Sequence, residues 1–245
     1  RRFAFVFWAV LLEGCAHAKA PHASTPARES LSAPARTREI ARARVWNATP
    51  IETLDLRKGP PGKGAFAPEA IVVCDYVAEK QGGTTPKFAC VLPNGDQVKV
   101  RYGIDNGEIY ASVIATRLFW ALGFGADAYY PVRVRCRGCS VDPWEDPAKR
   151  PGETAFDFAV IERKMPGDTL ESEPDQGWKW PELDDVETAP GGATRAERDA
   201  LKLLASLVEH IDSKSVQQRL VCLPGDTSRV DASACAHPFL MVHDL

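Results

Sequence analysis

Four polar residues of different chemistry stand close together in EHIDSKSVQQRLVC, residues 209–222. The stretch offers an imidazole, a carboxylate, an ammonium and an amide, carried by His210, Asp212, Lys214 and Gln217. Phosphoryl transfer depends on charge neutralisation and in-line positioning more than on covalent chemistry, and groups of these types supply both. The plainer interpretation is a helix end that runs into a polar loop, where the helix dipole favours a histidine. The joint spacing favours the first interpretation.

Two more charged residues, Lys99 and Glu108, are positioned by the elements that carry them. In QVKVRYG, Val98 and Val100 share one face of a predicted strand, so Lys99 projects from the opposite face. The next helix is predicted to start at Asp105 as its cap, with Glu108 completing a capping box three residues later. Lys99 is therefore either a solvated residue or a ligand contact, and Glu108 either a capping acid or an ion-pair partner.

Hydrophobic periodicity predicts strands and two helices around these residues. Asn94 and Gly95 form a strong hairpin signal between two of the strands. Thr194 and Glu197 form the capping box of the second helix. The predicted strands are AIVVCDYV, KFACVL, QVKVRYG, AYYPVRVRC, FDFAVIERKM, RLVCL and PFLMVHDL, and the predicted helices are DNGEIYASVIATRLFWALGFG and TRAERDALKLLASLVEHID.

Residues from about 88 to 245 resemble the protein-kinase-like superfamily, in its atypical bacterial branch. HIDSKSVQ is similar to the catalytic loop HRDxKxxN, VHDL looks like the start of the metal-binding DFG turn, and VKV looks like the strand with the phosphate-binding lysine. The resemblance implies an α+β, two-lobed kinase-like fold. Its small lobe would have antiparallel strands and one helix, and its large lobe would be partial.

The resemblance also implies catalytic and metal-binding roles, with ATP and magnesium as cofactors. Asp212 would orient the proton of the attacking hydroxyl, and Lys214 would neutralise the transferred phosphoryl oxygens. Gln217 stands where the family has the asparagine that holds magnesium, and Asp244 would ligate magnesium that bridges the phosphates. The phosphoryl acceptor is not readable from these residues.

Three residues take nucleotide-binding roles from the same resemblance. Lys99 would contact the α- and β-phosphates, and Glu108 is the candidate acid to pair with it. Glu162, at the end of FAVIE, falls roughly where the adenine would meet the hinge between the lobes. A kinase-like domain without catalysis, or an unrelated disulfide-stabilised envelope protein with a binding or scaffold role, are the alternative functions.

The first residues, RRFAFVFWAVLLEGCAHAKA, read as an export signal over 1–20, because two arginines precede an apolar run too short to span a bilayer. LEGC resembles a bacterial lipobox that would make Cys15 a lipidation site; cleavage after Ala18 or Ala20 is the alternative. Residues 21–48 are rich in Ala, Pro, Arg and Ser and predict a disordered tether. The sequence thus predicts an exported, cell-envelope lipoprotein that meets the membrane through its anchor only.

Cysteine usage agrees with export. Of the seven cysteines, six remain when Cys15 is set aside, and an even number in an oxidising compartment predicts up to three disulfides with 15 possible pairings. The alternative is a zinc site with four thiolate ligands. Its ligands would be Cys136, Cys139, Cys222 and Cys235.

Length and charge bound the remaining possibilities. The chain has 245 residues and a net charge of −3, so no basic excess points to nucleic acid as a partner. We expect a small-lobe-like, β-rich domain over 49–165 and an incomplete helical lobe over 166–245. Because the apolar run before Asp244 ends so near the last residue, we also expect the chain to be part of a longer protein.

Overall fold

A computed structural model describes residues 31–170, 177–210, 214–225 and 235–245. Within these ranges, no helix is both long and apolar enough to cross a membrane. The helices are α1 Ala33–Ala41, α2 Gly107–Ala121 and α3 Arg195–Leu207; the strands are β1 Ala70–Val77, β2 Lys87–Val91, β3 Gln97–Tyr102, β4 Gly125–Ala126, β5 Ala128–Arg137, β6 Glu153–Arg163, β7 Asp168–Thr169, β8 Gln218–Cys222 and β9 Pro238–Val242; short 3-10 helices cover Ile51–Thr53, Trp180–Asp185 and Ser215–Gln217.

Five strands form a closed barrel in the order β1-β2-β3-β6-β5. Adjacent strands of the barrel are antiparallel, except that β1 and β5 run parallel and close the barrel. The predicted hairpin is confirmed, since Gly95 joins β2 to β3 with a φ of 88° that favours glycine. The interior is apolar, and Phe88, Val100 and Ile161 are at most 1% exposed. Alternation along β3 therefore turns Lys99 to the outside of the barrel, as the sequence predicts.

The other four strands form a second sheet in the order β4-β9-β8-β7. A second apolar core beside this sheet takes residues from all three helices, among them Ile40, Phe119 and Leu201. Helix α2 also packs against β5 of the barrel. The carboxyl end of β9, which leads to the last residues of the chain, is consequently brought close to the outer face of the barrel.

The predicted two-lobed, kinase-like fold is wrong. A closed five-stranded barrel takes the place of the expected small lobe, because the parallel β1–β5 pairing leaves no open edge. Two features of the structure cross the expected border between 49–165 and 166–245. Strand β4, from the first segment, is hydrogen-bonded to β9, from the second, and both segments share one apolar core.

Part of the predicted tether over 21–48 is folded. Ser32 caps α1, and Ile40, Ala43 and Val45 are at most 2% exposed in the second core. Few large apolar side chains occur between residues 31 and 48, and two of them, Ile40 and Val45, are buried against the rest of the protein, whereas Trp46 is 37% exposed. Composition missed them because it averages over the segment, while burial depends on where the individual residues fall. The predicted export signal over 1–20 lies outside the described residues.

The cysteine pairs are Cys74–Cys90, Cys136–Cys139 and Cys222–Cys235, each at disulfide distance. The expectation of three disulfides is therefore confirmed. The alternative zinc site does not form, because Cys136 and Cys139 lie in the barrel core and the other two cysteines in the second core.

The capping box of α3 is also confirmed, and it gives a stability prediction. The Thr194 hydroxyl accepts the Glu197 backbone N–H at 3.3 Å, and the Glu197 carboxylate accepts the Thr194 N–H at 2.7 Å. We expect Thr194→Ala to lower the free energy of unfolding by about 1 kcal/mol in urea denaturation, because the Glu197 backbone N–H at the start of the helix loses its side-chain acceptor. Ser206→Ala, at an exposed hydroxyl within the same helix, is the matched control. Equal stability of the two variants would contradict the prediction.

Candidate functional site

Charged side chains gather on the outer face of the barrel, where β3 and β6 meet the residues that follow β9. Because Val98 and Val100 point into the barrel, Lys99 and Arg101 share the outward face of β3. We call this group the polar cluster; its members are Lys99, Arg101, Glu108, Asp127, Glu162, Lys164, Gln217, His243 and Asp244.

Lys99 and Glu162 form the first contact of the polar cluster. They are opposite one another in the β3–β6 ladder, with Lys99 Nζ 3.1 Å from Glu162 Oε2. The Glu162 side chain is 2% exposed and that of Lys99 34% exposed, so the ammonium still reaches solvent. Burial by itself raises the pKa of Glu162, but the charges of Lys164 and Lys99 outweigh it and hold this pKa well below its usual range.

Arg101 contacts three acids of the polar cluster, and no sequence motif singled it out. Its guanidinium lies 3.3 Å from Glu108 and 3.9 Å from Glu162, and it donates a short hydrogen bond to Asp244. The guanidinium also stacks over the Tyr129 ring, 5.0 Å from its centroid. Glu108 is thus an ion-pair partner, as one of its two interpretations held, but its partner is Arg101 instead of Lys99.

The start of α2 explains how Glu108 comes to face Arg101. The helix cap is Asn106, one residue beyond the predicted Asp105, and its side-chain oxygen accepts the Glu108 backbone N–H. Glu108 therefore does not complete the expected capping box. Its carboxylate instead accepts hydrogen bonds from Arg101 and from the Thr85 hydroxyl.

Asp244 and Gln217, the two predicted magnesium ligands, contact each other. The Gln217 amide nitrogen lies 3.4 Å from Asp244 Oδ2, while Arg101 binds Oδ1. Asp244 has a φ of 61°, in the left-handed region that an aspartate tolerates better than most residues. Burial raises the pKa of Asp244, but the positive charge of Arg101 lowers it by more, so this pKa is below its usual value. With donors on both oxygens, this arrangement does not fit a magnesium ion held by the pair.

Asp127, Lys164 and His243 complete the polar cluster. Lys164 Nζ lies 3.1 Å from Asp127 Oδ2 and 2.5 Å from Glu162 Oε1, and the His243 ring makes a short contact with Asp127. Burial raises the pKa of Asp127, yet the His243 hydrogen bond and the Lys164 charge bring it below its usual value. Two sequence signals could have found part of this group: Lys164 is two residues from Glu162, and His243 adjoins Asp244. Asp127 had none.

Five of the predicted site residues thus share one hydrogen-bonded and ion-paired network, joined through Arg101. They are Lys99, Glu108, Glu162, Gln217 and Asp244. The predicted catalytic Lys214 is exposed and immediately precedes the 3-10 helix that carries Gln217. The predicted catalytic Asp212 and the predicted lipidation site Cys15 lie outside the described residues.

A pocket of about 440 Å³ opens beside the polar cluster. Lys99, Glu162 and Lys164 line both the pocket and the cluster. Four cationic and two acidic side chains line the pocket, so its charge favours an anion. The six are Lys63, Lys99, Arg163, Lys164, Glu79 and Glu162.

Fold and site together define a disulfide-linked α+β protein in which a closed five-stranded barrel carries a buried ionic cluster and a basic pocket. Comparisons with protein-family models, with curated proteins and with solved structures found no match to this chain. The function is therefore argued from the site itself.

Proposed function

We propose that this protein binds a phosphate-bearing anion, with ATP as the leading ligand, in the basic pocket beside the polar cluster. We further propose that the bound ligand donates its terminal phosphoryl group to an acceptor. The observation that carries the proposal is the position of Lys99, whose ammonium is part of the cluster and also lines the pocket.

The size and charge of the pocket support an anionic ligand of this class. A volume of about 440 Å³ falls within the range of ordinary ligand sites. Lys63, Lys99, Arg163 and Lys164 supply four ammonium or guanidinium groups from three separate parts of the chain. Phosphate oxygens are the ligand atoms that such groups bind best, because charge-assisted hydrogen bonds are the strong ones.

Lys99 is held in a way that suits ligand binding. The ion pair with Glu162 restricts where the ammonium lies, while its exposure of 34% leaves donor positions open toward the pocket. An ammonium that is already positioned loses less conformational freedom when a ligand arrives. Lys99 would neutralise phosphate oxygens of the ligand in this position.

In the same proposal, Asp212 and Lys214 are the residues that catalyse the transfer. Asp212 would orient the acceptor hydroxyl, and Lys214 would neutralise the phosphoryl oxygens during transfer. Because Asp244 and Gln217 are engaged with Arg101 and with one another, we propose that magnesium enters with the nucleotide.

The test is calorimetric titration of ATP with magnesium into protein with its disulfides formed. We expect saturable binding that Lys99→Gln weakens at least tenfold, since the variant removes one charge-assisted contact worth about 1.4 kcal/mol or more. Lys149→Gln, the same change at an exposed loop residue, should leave the affinity unchanged. Absence of binding up to millimolar ATP by folded protein would overturn the nucleotide proposal.

A second candidate function is a binding or scaffold role without catalysis. It is favoured by the carboxylates of the cluster, because Glu162 and Asp244 are each engaged by cations and act as partners within the fold. The two candidates separate in a turnover assay with ATP and magnesium. Binding with release or transfer of the γ-phosphate supports the enzyme, whereas binding without turnover over many hours supports the scaffold.

We also propose an exported location with a lipid anchor at Cys15. The three disulfides support an oxidising compartment, because such bonds persist outside the reducing cytosol. The partners on this proposal are a nucleotide and an unknown acceptor, with the membrane reached through the anchor only and no nucleic acid. Membrane fractionation of the Cys15→Ala variant tests the anchor, and an unchanged membrane-bound fraction would contradict it.

A further inference from the structure

Three side chains from distant parts of the chain place metal-binding atoms together at one end of the polar cluster. Asp127 stands between β4 and β5, Glu162 near the end of β6, and His243 just after β9. Their ligand atoms all lie within 4.8 Å of one another, with the acids buried and the histidine partly buried. Donors of this kind at this separation are the pattern of a metal centre.

A cationic group already lies among these atoms. Lys164 Nζ is 3.1 Å from Asp127 Oδ2, 2.5 Å from Glu162 Oε1 and 3.1 Å from either ring nitrogen of His243. The ammonium thus contacts all three side chains at once. The Lys164 side chain is 52% exposed, whereas those of Asp127 and Glu162 are 1% and 2% exposed. Lys164 is therefore the most exposed of the four side chains, and its ammonium can rotate into solvent to make room for an ion.

Each carboxylate is oriented through its other oxygen. Asp127 Oδ1 accepts the Met165 backbone N–H at 2.8 Å, which leaves Oδ2 directed to Lys164. Glu162 Oε2 faces Lys99, which leaves Oε1 directed to the same ammonium. Contacts to metal ligands from groups that do not themselves bind the ion hold those ligands in the geometry that the ion requires.

Tyr129 gives a second and independent sign of a missing partner. Its side chain is fully buried, and its hydroxyl has no hydrogen-bond partner among the described residues. Tyr129 lies opposite Glu162 in the β5–β6 ladder, on the side away from Lys99. Burial raises the pKa of the phenol, and the charge of Glu162 raises it further, so the hydroxyl stays protonated. A buried hydroxyl without a partner is costly, and a ligand at the cluster would relieve that cost.

We propose that Asp127, Glu162 and His243 bind one divalent transition-metal ion, and that the Lys164 ammonium holds the place of the ion when metal is absent. One imidazole with two carboxylates suits manganese, iron or zinc better than magnesium or calcium, which prefer oxygen ligands alone. The Tyr129 hydroxyl serves a water or anion bound to the metal. This site does not depend on the ligand of the basic pocket, since its ligands are side chains of the protein.

The test uses metal alone, without nucleotide, on the disulfide-intact protein. In calorimetric titrations with MnCl2 and ZnCl2 at neutral pH, we expect one equivalent to bind. Asp127→Asn should weaken binding at least tenfold. Lys164→Met should strengthen it at least tenfold, because the metal no longer competes with the resident ammonium. Lys87→Met is the control. Lys87 interacts electrostatically with Arg101 and Asp244, but it makes none of the described contacts with the three metal ligands.

The comparison of Lys164→Met with Lys87→Met distinguishes a metal site from a structural salt-bridge cluster. A purely structural salt-bridge cluster predicts no saturable metal binding, and predicts that Lys164→Met and Lys87→Met behave alike; either result overturns the site. If Asp127→Asn does not fold, broadening of the His243 ring resonances by Mn²⁺ in the wild-type protein replaces it, and unbroadened resonances also overturn the site. Nucleotide is absent throughout, so failure of the metal site and failure of ATP binding are separate results.

Discussion

Glu162→Gln is expected to lower the free energy of unfolding by about 3 kcal/mol, the usual loss when one partner of a buried ion pair is removed. The Glu162 carboxylate is 2% exposed and contacts Lys99 and Lys164 at 3.1 and 2.5 Å. The same carboxylate lies 3.9 Å from Arg101, whose side chain is 5% exposed. The variant leaves that buried guanidinium with less negative charge around it. Urea denaturation at pH 7 measures the loss.

Glu153→Gln is the matched control, because it makes the same change at the exposed start of the same strand. We expect its effect to stay within about 0.5 kcal/mol. If Glu162→Gln were as mild as the control, the attraction of the cations would do no more than offset the cost of burying the carboxylate. The ion pairs of the polar cluster would then hold its side chains in place without adding to the free energy of unfolding.

The pH dependence of the stability of Glu162→Gln tests the direction of the pKa shift of Glu162. Glu162 has a pKa below its usual value of 4.5, because Lys164 and Lys99 outweigh the effect of burial. A lowered pKa means that the carboxylate stabilises the fold above the unfolded pKa, and that this contribution is lost as the pH falls below it. The difference in stability between wild type and Glu162→Gln should therefore shrink from pH 6 toward pH 3. A constant difference over that range would contradict the assignment.

Removing the disulfide Cys74–Cys90 has an expected effect of similar size. The two cysteines are 16 residues apart, for which the chain-entropy relation gives about 3 kcal/mol. Both are fully buried in the barrel core, so the double variant to alanine also leaves unfilled space. We expect guanidinium denaturation under non-reducing conditions to show a loss of about 3 kcal/mol or more.

The pair Cys136–Cys139 supplies the comparison. These cysteines are also buried in the barrel core but only three residues apart, so the same relation gives about half the effect. The double variant to alanine at this pair should therefore be clearly the milder of the two. Equal losses would mean that packing around sulfur, and not chain entropy, determines what these disulfides contribute.

Much of the local structure could be predicted from the sequence. The hairpin turn at Gly95, the capping of α3 by Thr194 and the outward position of Lys99 were each predicted and are each observed. The periodic apolar runs also marked the long strands and both long helices. These features depend on backbone preferences and side-chain alternation within a few residues, and this is the range over which sequence patterns are informative.

The candidate site was predictable only in part. Lys99, Glu162 and Asp244 do share one network, but the residue that joins them is Arg101, which carried no motif. Asp127 had no signal at all, since its contact with His243 spans 116 residues of sequence. Spacing motifs report short distances along the chain, and they do not detect a cluster assembled from six separate stretches of sequence.

The sequence by itself determined the elements of this protein, the even number of cysteines after Cys15, and the face on which Lys99 lies. The tertiary structure decided that β1 pairs with β5 to close a barrel, that β4 joins the sheet of β8 and β9, and that Arg101 meets Asp244. The physical reason is that each local conformation is favoured by its own residues. Pairing between distant strands depends on how all the buried faces fit together, and no single stretch encodes that fit.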